Sequence, residues 1–183
     1  MKKTLLTSLA IATIFTACAK YEPSPNMVNL KASFTDSKWN AETVPKDEVC
    51  QRYNKKGGNT PSITIQNLPQ GTNKVILTFS DNNPSSQMTN GGHGIISYKV
   101  SQSSNSLIIP SVKGQTFDLP KNFNSEVAHQ AGRWGFKAGA YLPPCSGGKG
   151  NPYSVKIQTI KEYTDSNKKP MLLGETDLSL GRY

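Results

Sequence analysis

Only two histidines occur in this 183-residue chain, and one of them sits among three glycines in Gly91-Gly92-His93-Gly94. Upstream of it, Asp81 closes the run Leu77-Thr78-Phe79-Ser80-Asp81. An imidazole titrates near neutral pH and serves as base, acid or hydrogen-bond partner. A carboxylate close to it orients the ring and favours its protonated form. Glycines bring no side chains, so a ligand or another backbone can approach the ring. Their N–H groups, together with an imidazole, suit an oxyanion such as phosphate. Three uses stand open. His93 is the base of a hydrolase-type enzyme, which needs a nucleophile or an activated water beside it. Or His93 and Asp81 contact a bound anion without chemistry. Or Asp81 caps a turn in Asp81-Asn82-Asn83-Pro84 and His93 bonds a neighbouring loop. His129, in Ser125-Glu126-Val127-Ala128-His129, reads as an exposed loop histidine.

The familiar catalytic signatures are missing. There is no Gly-x-Ser-x-Gly elbow, no phosphate-binding P-loop, no Cys-x-x-Cys and no His-Glu-x-x-His. A zinc site takes three or four ligands, and two histidines would have to recruit distant Asp or Cys side chains. No catalysis, no metal and no cofactor is expected.

The elements that must position Asp81 and His93 read as strands. Lys74 to Phe79 is an apolar run suited to a strand covered on both faces. Tyr153, Val155 and Ile157 alternate with Ser154, Lys156 and Gln158, the cleanest period-two pattern in the chain. Ile96, Tyr98 and Val100 alternate with Ile95, Ser97 and Lys99. Ser106 to Ile109 and Gln115 to Leu119 are further strand candidates, separated by Pro110 and Gly114. Helix is expected only at Met171 to Leu180. Many short strands between turn signals predict a mainly all-β chain, an antiparallel two-sheet sandwich with few short helices. Trp39 and Trp134 are expected to anchor the core or pack loops.

The first residues read as an export signal: a basic Met1-Lys2-Lys3, an apolar stretch from Leu5 to Phe15, then small residues before Cys18. That stretch is shorter than the roughly 20 apolar residues a spanning helix needs. Ile14-Phe15-Thr16-Ala17-Cys18 resembles a bacterial lipobox, with Phe15 where Leu, Val or Ile is usual. The resemblance implies a signal peptide over residues 1–17 and acylation of Cys18. It also implies a tether over 18–32 and a domain over 33–183. Ala19 in place of Asp implies the periplasmic face of the outer membrane. An ordinary signal peptide cut after Ala17 is the other option. Cleavage leaves 166 of the 183 residues, enough for one core, and loss of Lys2 and Lys3 lowers the formal charge from +9 to +7. The lysines are scattered, so a solvated surface is expected rather than a nucleic-acid site. In an oxidising compartment Cys50 and Cys145 are expected to pair, with two free thiols as the remaining option.

The order of motifs resembles the phosphatidylethanolamine-binding protein family, also called Raf kinase inhibitor-like proteins. Gly58-Asn59-Thr60-Pro61-Ser62 leads into Ile63-Thr64-Ile65 as the family's Gly-x-Asn-x-Ser-Pro segment leads into a strand. Leu68-Pro69-Gln70-Gly71-Thr72 is similar to its Pro-x-Gly-Thr turn, and the strand ending at Asp81 to its Asp-Pro-Asp-x-Pro ending. Gly92-His93-Gly94 falls at the pocket histidine. Tyr141-Leu142-Pro143-Pro144 resembles the Gly-Pro-x-Pro-Pro turn, and Gly181-Arg182-Tyr183 the C-terminal Gly-x-Tyr. The resemblance implies a β-sandwich of that type with a small anion-binding pocket for phosphate-like headgroups. It gives pocket contacts to Asp81, His93 and Tyr153, and to Asn151 at the second histidine's place, with Pro84, Pro143 and Pro144 shaping the wall. In Asn151-Pro152-Tyr153 the family's second pocket histidine is Asn151 and its arginine is Pro152, so the expected anion preference is weakened. The resulting expectation is a membrane-tethered binding protein whose partners are a small anion or phospholipid headgroup and the membrane itself. A hydrolase using His93, or an envelope interaction protein with a vestigial pocket, is the alternative.

Overall fold

A computed structural model describes residues 20–101 and 104–183. The expected signal peptide and Cys18 lie outside the described residues. The strands are β1 (Glu22–Asn29), β2 (Lys31–Phe34), β3 (Ile63–Gln66), β4 (Lys74–Asp81), β5 (Ile95–Lys99), β6 (Ser106–Ile109), β7 (Phe123–Val127), β8 (Pro152–Lys161) and β9 (Met171–Arg182). They build a six-stranded sheet in the order β1-β9-β8-β4-β5-β7 and a three-stranded sheet in the order β2-β3-β6. Every strand pair is antiparallel except β1 with β9.

The two sheets bury their facing side chains. Ile63, Ile65, Leu107 and Ile109 of the small sheet meet Val75, Leu77, Phe79, Ile96, Val155 and Ile157 of the large one in a single core cluster. The alternation read in β8 holds in space: Tyr153, Val155 and Ile157 are buried, while Ser154, Lys156 and Gln158 are half-buried or exposed. Trp39 joins the core, as expected.

Three expectations fail. Met171 to Leu180 is not helix but most of β9, paired with β8 over its whole length and with β1 on its other edge. Hydrogen bonds on both edges outweigh the weak local helix preference. Gly174 helps, because a side chain there would meet the Val28 carbonyl oxygen 2.6 Å away. The expected tether at 18–32 is shortened, since Glu22–Asn29 and Lys31–Phe34 are strands. Pro23 and Pro25 are tolerated because β1 is an edge strand, where missing N–H donors cost no ladder bond. Gln115 to Leu119 forms no strand. Gln115 takes a left-handed backbone (φ 55°) and buries its side chain, whose carbonyl accepts the Gln51 N–H at 2.7 Å. Cys50 and Cys145 form a disulfide, as expected.

Candidate functional site

The end of β4 and the start of β8 lie side by side, with Asp81 paired to Tyr153 in the register. His93 enters from the loop before β5. Its N–H donates to Phe79 O (3.1 Å), and Phe79 N–H donates to Gly94 O (3.0 Å), which clips the histidine to the end of β4. Asp81, His93 and Tyr153 thereby line one cavity of about 130 Å³, together with Met88, Ala131, Trp134, Phe136, Leu142 and Cys145. A larger open depression of about 400 Å³ along Leu68 to Asn73 has no titratable side chain in its wall.

The glycines around His93 make room for backbone, not for ligand. A Cβ at Gly94, where φ is 112°, would lie 2.0 Å from Ala140 O, and one at Gly92 would lie 2.4 Å from the Met88 Cα. Their N–H groups are also committed: Gly91 to Ser80 Oγ, Gly92 to Thr89 O, His93 to Phe79 O and Gly94 to Gly91 O. The backbone oxyanion cradle expected here is already filled by the protein.

The ring itself is equally constrained. His93 Nδ1 lies 2.8 Å from Leu142 O. A carbonyl only accepts, so Nδ1 carries the proton and a neutral ring leaves Nε2 as an acceptor. Burial pushes the His93 pKa from 6.5 down to about 4, opposed by the Leu142 carbonyl and the Asp81 charge. The protonated ring expected from Asp81's proximity is therefore not the resting form at neutral pH. Nor does Asp81 orient the ring by hydrogen bonding: its oxygens accept from Asn83 N–H (2.9 Å) and from the Asn151 amide (2.7 Å). Asp81 is both the turn cap and a cavity wall.

Tyr153 stacks edge-on against His93, ring centres 5.2 Å apart. Its hydroxyl accepts the Cys145 N–H at 3.1 Å, and burial raises its pKa, so it stays neutral. Asn151 stands behind the cavity. Its amide is spent on Asp81 and on accepting from Asn83 Nδ2 (2.9 Å), so it positions the carboxylate and does not line the space. Pro84, Pro143 and Pro144, expected to shape the wall, do not themselves line the cavity. Pro84 is exposed, Pro143 and Pro144 are buried, and Leu142 and Cys145 beside them line the cavity instead.

The sequence reading missed the apolar wall. Ala131 and Trp134 belong to a single 3-10 turn, Gln130–Trp134, that Gly135 ends in a left-handed conformation (φ 76°). Gln130 N–H donates to Gly92 O (2.9 Å), tying this turn to the histidine loop. His129 is not exposed but buried, its Nε2 3.0 Å from Lys137 O across the base of the turn. Trp134, expected as packing, is 43% exposed and forms part of the cavity wall. The available signal was Trp134-Gly135-Phe136, two aromatics in a stretch without strand or helix periodicity.

No protein-family model and no curated relative matches the sequence. Solved structures do match. A phosphatidylethanolamine-binding protein homolog from Chlamydia trachomatis is 16% identical, with 85% of this chain and 97% of that chain covered, at a TM-score of 0.52. YbcL of Escherichia coli, described as a member of the mammalian family of that name, is 17% identical, with 84% and 99% covered, at 0.50. The fold is that of the phosphatidylethanolamine-binding proteins. In this chain, the cavity described above joins titratable side chains to apolar walls.

Proposed function

We propose that this chain is a non-catalytic binding protein of the cell envelope, anchored through Cys18, whose cavity takes the small polar end of a phosphoethanolamine-type headgroup. One observation carries the reading: a neutral His93 presents Nε2 as an acceptor beside the Asp81 carboxylate, in a mostly apolar space. Such a floor favours a donor, and an ammonium or hydroxyl group meets it where a bare phosphate does not. The carboxylate keeps lone pairs beyond those used by Asn83 and Asn151. The Tyr153 ring adds a face that attracts a cation. The volume, roughly four water molecules' worth, suits a headgroup fragment and not an acyl chain. The hydrolase alternative has little support, because the wall offers no serine or threonine and Cys145 is held in the disulfide.

Two measurements test this. Titration with phosphoethanolamine is expected to shift the His93 ring signals in NMR spectra, and Asp81→Asn to weaken that binding at least tenfold. Unmoved signals with no thermal stabilisation would refute the binding role. Separately, a fatty-acid analogue is expected to label the wild-type chain and not Cys18→Ser; persistent labelling in the variant removes the anchor from the proposal.

A further inference from the structure

If the amine end of a headgroup enters the cavity, its phosphate must be met elsewhere. Nothing in the wall can do so, since Asp81 is the only charged side chain lining it and the neighbouring backbone donors are committed. Two guanidiniums stand just outside. Arg52 lies over the Phe136 ring, 3.9 Å from its centre, and Arg133 over Trp134 at 4.2 Å. Both rings belong to the cavity wall.

Both arginines are exposed, and neither is in an ion pair among the described residues. Arg133 makes one long bond, 3.4 Å, to Gln130 Oε1. Stacking holds a guanidinium plane while leaving its N–H fork free for phosphate oxygens. The two positions are fixed by separate loops. Arg52 follows Cys50, whose disulfide partner Cys145 is itself in the wall. The turn carrying Arg133 is bonded to the histidine loop through Gln130 and Gly92.

We infer that Arg52 and Arg133 form an anion-gripping rim, so that the phosphoryl end of the ligand is held at the mouth while its amine end faces Asp81 and His93. This rests on the headgroup reading above and adds the phosphate site and the ligand's orientation.

Calorimetric titration of the full chain with phosphoethanolamine, ethanolamine and inorganic phosphate tests it. Arg52→Gln and Arg133→Gln are each expected to weaken phosphoethanolamine about tenfold and ethanolamine far less, and to flatten the salt dependence. Lys55→Gln, an exposed charge on the same loop, controls for net charge and should change nothing. Wild-type binding of phosphoethanolamine that both arginine variants retain in full overturns the rim while leaving the cavity reading intact. A wild-type chain that binds neither phosphoethanolamine nor ethanolamine overturns the cavity reading, and the rim with it. Sedimentation of the Cys18→Ser chain with phosphatidylethanolamine vesicles, lost when Arg52→Gln or Arg133→Gln is added, assigns the phosphoryl group to a lipid. Binding of soluble phosphoethanolamine without sedimentation assigns it to a free ester.

Discussion

His93 is held neutral by its surroundings, and this has a consequence for acid stability. Its pKa is 6.5 in an unfolded chain and about 4 in the fold, because burial penalises the charged ring more than the Leu142 carbonyl and Asp81 favour it. On acidification the unfolded chain takes the proton first. The stability associated with a neutral His93 is therefore complete above pH 6.5 and is lost between 6.5 and about 4, by on the order of 3 kcal/mol. Burial lowers the His129 pKa as well, so it acts in the same direction. Urea unfolding at a series of pH values checks this. His93→Gln should flatten the slope across that window, and an unaltered slope would show that another group controls it.

At the level of elements, the histidine loop works because Gly92 and Gly94 let the backbones at Met88 and Ala140 pack directly against it. Gly94→Ala forces a Cβ to 2.0 Å from Ala140 O at a φ of 112°. A clash with backbone in a left-handed conformation is expected to cost more than about 3 kcal/mol and to displace His93 from the cavity. Gly132→Ala is the matching control: a Cβ there meets nothing within 4 Å, so thermal unfolding should move by no more than about 0.5 kcal/mol. Equal effects of the two substitutions would show that the loop tolerates rearrangement. The strands flanking the loop were legible in the sequence where burial imposes a period, as in β8. β9 was not, because its pairing with β1 is non-local and its own residues carry no clean alternation.

Across the whole molecule, the Cys50–Cys145 bridge spans 95 residues and joins the loop before β3 to the segment entering β8. In the chain-entropy picture a loop of that length contributes about 4–5 kcal/mol. Replacing both cysteines with alanine is expected to lower stability on that order, measured by chemical denaturation, and to loosen the wall at Cys145 and the Arg52 turn outside it. A double variant as stable as the parent, with undiminished binding, would mean that the core alone holds the site.

Tyr153 entered the site only through the family resemblance, whereas the residues themselves pointed to the fold class, to a pairing of the two cysteines and to Asp81 with His93. These were readable because strand alternation, cysteine number and an unusual glycine-flanked histidine are local or countable properties. Tertiary structure alone decided the site's charge state and its free donors and acceptors. It placed Asn151 behind Asp81, spent the glycine N–H groups on backbone partners, and brought the 131–136 aromatics against His93. Charge state and donor availability depend on which groups surround a buried ring. Those neighbours come from segments scattered along the chain, so no local pattern encodes them.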